Sequence, residues 1–291
     1  MEGRLVMTAG LRRDFVTIDV TDRKPGALLP RVSDRVGEYT GHLGANYVAV
    51  PGKILVFANT STAFEPSSRV DARTGRVQGN ETTLGYEVGG KGLFFERRLA
   101  LIAMGFAYFN QNISRRNPLY DDPILDANQT QPQLVAAGEE RFTGGSLEGR
   151  YKVSEAFSLG ARATYNRAIT TASPDLPEEI GRELSRFPWL TGGLTARCTF
   201  GRAGRWAGLS IGAGLTYVSD TVSSYENKTH VYLAYPSYTL VSLSASYRWK
   251  VGNFNHSLTA TVRNALDYDL LASVARVGGE RDYGISYGLS W

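Results

Sequence analysis

Residues 282–291 read DYGISYGLSW, and this stretch decides the fold. The odd positions, Tyr283, Ile285, Tyr287, Leu289 and Trp291, are all large and apolar or aromatic; the even ones are Asp282, Gly284, Ser286, Gly288 and Ser290. A period of two places successive side chains on opposite faces of an extended strand. One face is therefore oily and the other small and polar, up to the final residue. A helix would scatter both sets around its circumference.

The same alternation recurs upstream. In 238–251, Val241, Leu243, Ala245, Tyr247, Trp249 and Val251 oppose Ser242, Ser244, Ser246, Arg248 and Lys250. In 206–218, Leu209, Ile211, Ala213, Leu215 and Tyr217 oppose Ser210, Gly212, Gly214 and Thr216. Segments 256–263 and 147–153 behave alike. The period-two pattern predicts about twelve strands, near 3–20, 36–50, 54–64, 82–95, 98–112, 139–153, 157–171, 188–200, 206–219, 238–251, 254–268 and 281–291. Several exceed the roughly 5–6 residues of a soluble strand and reach the about 9–11 that a tilted membrane strand needs.

The connections alternate in length. Short turns fall at 51–53, 96–97, 154–156, 201–205 and 252–253, and long loops rich in Pro, Asn, Asp and Gly at 21–35, 65–81, 113–138, 172–187, 220–237 and 269–280. Short and long connections on opposite rims describe an all-β, antiparallel up-and-down transmembrane β-barrel. A soluble sandwich or lipocalin-like barrel would show its polar face to water. Here that face is Ser, Thr and Gly with occasional Arg or Lys, which suits a wet lumen. Tyr247, Trp249, Tyr283, Tyr287 and Trp291 gather near strand ends as a membrane girdle does.

Composition agrees. Among 291 residues there are 32 Gly and 16 Tyr, with a mean hydropathy of -0.22. The longest apolar run, Leu99–Phe109, falls short of the roughly 18 residues of a spanning helix. The net charge is +4, but the basic residues are scattered, so no nucleic-acid partner is expected. Met1–Val6 lacks the charged and apolar regions of a secretory signal, which leaves either a cytoplasmic protein or a chain parted from its leader.

Catalytic and metal-binding constellations are not expected. His256 and Ser257 are neighbours on one strand and point to opposite faces, so they do not make the hydrolase pair that a barrel wall can carry. His42 sits among Gly and Thr, and His230 in a loop, neither beside a nucleophile. The lone Cys198 supports no thiolate metal site. Gly89–Gly92 and Gly212–Gly214 lack the Lys-Ser/Thr of a phosphate loop, and Asp121, Asp122 and Asp126 fit no EF-hand spacing. Residues 177–184 read as a short helical turn within a loop. The chain is expected to be no enzyme and to need no cofactor or metal.

An ordered set of motifs then resembles the C-terminal part of the TonB-dependent outer-membrane receptors, particularly the siderophore-receptor branch. Gly10-Leu11-Arg12-Arg13-Asp14 is similar to "GLRYD", Val56–Phe64 to "lYasystsF", and Tyr86-Glu87-Val88-Gly89-Gly90-Lys91-Gly92 to "YEvGlKg". Pro236–Tyr247 resembles "PgYtlvdLsasY", Val262–Asp267 "v.NlfD", and Arg281–Trp291 the closing "pRtyglslsy.f".

The resemblance implies a barrel of about twenty-two strands around a plug, of which residues 1–291 would supply about twelve strands as one incomplete domain without the plug or its TonB box. It implies a place in the outer membrane, contact with its lipid and with the barrel-insertion machinery through Trp291, contact with TonB only through the plug, and energy-coupled uptake of a ferric siderophore or similar chelate. Such ligands favour Arg and Tyr on long outer loops, which singles out Arg115, Arg116, Tyr120, Tyr225, Tyr232 and Tyr235. The second reading is a passive pore of about twelve strands that closes on itself.

Overall fold

The computed structural model describes residues 4–21, 23, 31–71, 76–120, 122–124, 126–127, 131, 133–174, 176–201, 204–226, 231–273 and 276–291. Its strands are β1 (Leu5–Thr21), β2 (Arg31–Val50), β3 (Ile54–Glu65), β4 (Val70–Asp71), β5 (Arg76–Val77), β6 (Glu81–Phe94), β7 (Leu99–Arg116), β8 (Leu134–Lys152) and β9 (Phe157–Ala172). They continue as β10 (Leu190–Thr199), β11 (Leu209–Val218), β12 (Thr221–Glu226), β13 (Val231–Tyr235), β14 (Tyr238–Val251), β15 (Phe254–Arg263), β16 (Leu270–Ser273), β17 (Arg276–Gly278) and β18 (Asp282–Ser290).

Twelve of these form one antiparallel sheet in the order β1-β2-β3-β6-β7-β8-β9-β10-β11-β14-β15-β18. Each predicted segment is one strand of it. Among the described residues, β1 pairs with β2 alone and β18 with β15 alone. No helix in the described residues is long and apolar enough to cross a membrane.

The remaining strands are hairpins inside the long loops, β4–β5, β12–β13 and β16–β17, where the sequence predicts loop. Of the helical turn expected over 177–184, residues 177–179 form a 3-10 turn, whereas 181–184 hydrogen-bond back to β9. β2 begins at Arg31, within the loop expected at 21–35, and three further boundaries differ for local reasons. β7 and β8 run past the expected ends at 112 and 139, because a bulge at Asn112, whose φ is 60°, absorbs a register shift and lets pairing resume from Ile113 to Arg116. β15 stops at Arg263 rather than near 268. Buried Asn264 turns the chain there, its amide donating to the carbonyls of Tyr268 at 2.9 Å and Gly279 at 3.0 Å while its Oδ1 accepts from the Tyr268 N–H.

The register sorts the faces. Outward lie Leu5, Met7, Ala9 and Leu11 of β1, opposite Tyr47, Ala45, Leu43 and Gly41 of β2. Inward, cross-strand pairing sets Arg150, Gly160, Thr195, Gly214 and Ser242 in one row and Ser158, Arg197, Gly212, Ser244 and Thr261 in the next. These rows line a cavity of about 950 Å³ toward the short-turn rim, polar and basic as a wet lumen requires.

Higher up, the pattern inverts. Beyond Leu11 the outward residues of β1 are Arg13, Phe15, Thr17 and Asp19, all exposed, while Val16 and Ile18 turn inward with Val32 and Val36 of β2 and are more covered. On β8 and β9, Arg141 and Arg167 face out and Phe142 and Ala168 face in. From Leu5 to Arg13 is eight residues; at about 3.3 Å each and a tilt near 40°, they rise roughly 20 Å, close to the about 25 Å apolar band of an outer-membrane barrel. Above that level the buried apolar residues collect: Val32, Ala168, Ile169, Leu184 and Tyr235.

Candidate functional site

The inner wall of β3, β6, β7 and β8 is built by aromatic rings laid over glycines of the next strand. A side chain at Gly89 would meet the Phe57 ring, one at Gly85 the Tyr108 ring and one at Gly144 the Phe106 ring. Phe106 and Tyr108 stack with centroids 5.4 Å apart. The Tyr108 hydroxyl donates to Glu87, whose second oxygen accepts from Asn59 Nδ2 at 2.9 Å. One carboxylate thus ties β3, β6 and β7 together on the lumen side.

Above this row the wall becomes a capped rim. The bulge at Asn112 brings Arg115 to Glu140, and its two terminal nitrogens bridge Glu140 at 3.1 Å and Glu179, in the 173–189 loop, at 3.7 Å. That loop folds back as an extra rung: Gly181 N–H donates to Thr170 O at 2.8 Å, Thr170 N–H to Arg182 O at 3.1 Å and Leu184 N–H to Ala168 O at 2.9 Å. Phe187 meets Phe142 edge-on with centroids 5.2 Å apart. Together they enclose a cavity of about 310 Å³ lined by Arg115, Glu140, Thr170, Glu183 and Phe187. Glu140 lies above the apolar band; burial pushes its carboxyl above the usual carboxylate range, opposed by the Arg115 guanidinium.

The predicted ligand residues are distributed over separate elements. Arg115 lies at the end of β7 and its guanidinium is occupied by two carboxylates of the protein. Arg116 is exposed at the last position of that strand, and Tyr120 follows a turn closed by its N–H on Asn117 O at 3.1 Å. Tyr225 and Tyr232 are register partners across the β12–β13 hairpin; their side chains lie outside the described part. Tyr235 closes that hairpin opposite Thr221, buried, with its hydroxyl unpartnered among the described residues. Asp121 lies outside the described residues, and Asp122 and Asp126 sit in the turn that follows.

The sequence reading passes over Asn59, Glu87, Phe106, Tyr108, Glu140 and Phe142. A signal for them exists in β7, whose inward positions Ile102, Met104, Phe106 and Tyr108 are as bulky as its outward ones, against the small-residue rule of the other strands.

The residues expected to form a girdle divide by height. Tyr247, Trp249 and Tyr287 cluster near the short-turn rim, Tyr247 on Trp249 at 5.5 Å and Trp249 on His256 at 5.1 Å, with His256 Nδ1 2.7 Å from the Tyr287 hydroxyl. His256 is a member that the sequence reading omits. Tyr283 lies toward the long-loop end, opposite Val262. Trp291 stands just past β18, 91% exposed.

An antiparallel meander with an oily outer face, a polar inner face, short turns on one rim and a capped opposite rim is the wall of an outer-membrane-type β-barrel. The family described as TonB dependent receptor-like, beta-barrel, matches residues 2–265. The chain belongs to that family, whose members are transport receptors of the outer membrane.

Among solved structures it is similar to BauA, the ferric preacinetobactin receptor from Acinetobacter baumannii, with 19% identity and a TM-score of 0.77 over 98% of this chain and 40% of that one. It is also similar to the ferric citrate transporter FecA, with 17% identity and a TM-score of 0.75 over 99% of this chain and 42% of that one. The third is the ferripyoverdine receptor of the outer membrane of Pseudomonas aeruginosa, with 18% identity and a TM-score of 0.73 over 97% and 36%. The chain thus spans well under half the length of these proteins. A search of curated protein sequences finds no match.

Proposed function

We propose that residues 1–291 are the C-terminal barrel portion of an outer-membrane TonB-dependent receptor for energy-coupled uptake of a ferric siderophore or similar chelate. The observation that carries this is the pair of edges, β1 and β18, each paired on one side alone among the described residues, on a lipid-facing sheet of the family. In hydrocarbon each unpaired backbone group costs several kcal/mol, so these edges call for further strands between them. The solved relatives named above, each more than twice as long, are named as receptors or transporters of ferric chelates.

On this reading the chain contributes wall, outer loops and the terminal Trp291 as insertion signal. TonB acts through a plug formed by other residues. Arg116 and Tyr120, exposed at the outer rim, offer cationic and phenolic groups to the ligand. Tyr225 and Tyr232 of the β12–β13 hairpin are further proposed contacts, buried Tyr235 supports that hairpin from its base, and Arg115 organises the rim beneath them. The second reading, a self-closed pore, draws on the even number of strands in the one sheet, twelve.

Adding the purified, refolded chain to a planar bilayer separates the two. Stable unit conductance supports the pore and removes the need for further strands; absence of conductance supports the incomplete receptor. For the ligand class, ferric chelates of catecholate, hydroxamate and citrate type are titrated against tryptophan fluorescence. Quenching by none of them refutes the chelate assignment.

A further inference from the structure

The outward face of β1 and β2 changes chemistry in one step where the apolar band ends. Below lie Leu5, Met7, Ala9 and Leu11, the last 80% exposed. The next outward residues are Arg13 and Phe15, opposite Tyr39 and Gly37, with Arg35 opposite Thr17. The Arg13 guanidinium carbon lies 4.5 Å from the Phe15 ring centre and 4.8 Å from that of Tyr39, and Arg35 lies 4.8 Å from Phe15 on the same cluster. Gly37 leaves the space that the Phe15 ring occupies, since a side chain there would come within 3.2 Å of it.

Neighbouring carboxylates are engaged elsewhere. Asp14 faces inward and accepts from Arg12 Nε at 2.8 Å. Asp34, also inward, accepts from the N–H groups of Arg35 and Val77. Asp19, higher on the outward face, sits 3.9 Å from Arg31. Among the described residues no carboxylate lies within ion-pair range of the Arg13 or Arg35 guanidinium. A guanidinium seated on a ring face keeps its N–H edge free, and that edge matches the oxygens of a phosphate.

We propose that Arg13, Phe15, Arg35 and Tyr39 form a docking site for the phosphorylated headgroup of an outer-leaflet lipid. The two rings lie in the boundary between acyl chains and headgroups, and the two guanidiniums take the phosphate oxygens. A lipid fits better than a soluble phosphate because the cluster faces away from the lumen and is continuous with lipid-facing Leu11. A strand added beside β1 would leave it uncovered, since side chains stand perpendicular to the sheet. The site rests on the membrane placement of the proposed receptor.

The test uses the full chain refolded in zwitterionic mixed micelles, titrated with lipid A or with dephosphorylated lipid A and read by bound lipid per chain. Wild type is expected to prefer the phosphorylated form; equal retention of both overturns the proposal without any variant. The double change Arg13→Gln, Arg35→Gln is expected to weaken lipid A binding roughly thirtyfold, with an unchanged β-type circular dichroism spectrum. Arg31→Gln, higher on the same face, is expected to leave it unchanged. Loss of binding in Arg31→Gln equal to that in the double variant overturns the proposal, as does displacement of lipid A by inorganic phosphate. A chain that stays monomeric in water without detergent refutes the membrane placement instead, so the two failures are distinguishable.

Discussion

Gly144→Ala tests the aromatic-over-glycine wall at its tightest point. Gly144 pairs with Phe106 on β7 and Asn166 on β9. A Cβ there would lie 2.8 Å from Phe106 Cζ and 3.1 Å from Asn166 Cα, and nearer still to the Tyr165 carbonyl oxygen. The ring has little freedom, because it stacks on Tyr108, which is held by Glu87. The carbonyl has less, being part of the sheet backbone. Overpacking of this kind costs about 1–3 kcal/mol, against a gain of about 0.4–1 kcal/mol from the stiffer unfolded chain. Gly145→Ala is the control. It has the same unfolded-state gain but faces outward, where the nearest atoms are Met104 O at 3.1 Å and Gly105 Cα at 4.0 Å. Urea unfolding of the refolded chain in detergent micelles, followed by tryptophan fluorescence, should place the Gly144→Ala midpoint below the Gly145→Ala midpoint by about 1–3 kcal/mol at equal m-value. Equal midpoints refute the reasoning. So does full recovery on adding Phe106→Leu, because the carbonyl contact would remain.

Four further outcomes are expected. Tyr108→Phe removes one of two donors to Glu87 and should cost about 1–3 kcal/mol in the same unfolding assay. Arg115→Met leaves Glu140 and Glu179 without their shared cation and should speed protease cleavage in the 173–189 loop, with Arg115→Lys rescuing incompletely because one ammonium replaces a two-ended fork. Gly208 has a φ of +85° and faces the Arg248 carbonyl, so Gly208→Ala should lower the midpoint by at least about 1–2 kcal/mol. The raised carboxyl of Glu140 means that the folded rim holds its proton to a higher pH than the unfolded chain does. Rim stability should therefore fall as pH rises through the carboxylate range, and Glu140→Gln should flatten that slope in a protease-protection series.

The strands were legible where one face meets lipid and the other a wet lumen, because both demands repeat with period two; β14 and β18 show them residue by residue. The hairpins in the long loops carry no such period. β5 is held to β2 by the Asp34 carboxylate on the Val77 N–H at 3.0 Å, and the end of β15 by the amide of Asn264. These are single long-range contacts with no repeating trace. Arg115 was singled out as an Arg on a long outer loop, yet the bulge at Asn112 makes it part of the wall, and its carboxylate partners lie on another strand and another loop. Such a pairing follows from topology and bulge together, and neither is written in local composition.

The inversion of faces explains why both kinds of information coexist in one sheet. Up to Leu11 the apolar side of β1 turns outward, since lipid is the water-free side there. From Arg13 upward the outside is wet, and Val16, Ile18, Val32 and Val36 turn the apolar side inward beneath the cap. Ala168 does the same at β9, where the returning 181–186 segment, with buried Leu184, supplies the cover, while Ile169, the register partner of Arg141, is buried on the opposite face. The apolar face follows the absence of water rather than a fixed side of the sheet. A barrel of this kind has two cores, a lipid-facing one without a buried side-chain interior and a small water-excluding one in its outer cap. A change that opens the cap, such as loss of the Arg115 bridge, should therefore act on the outer rim and leave the strands below Leu11 and Tyr165 intact.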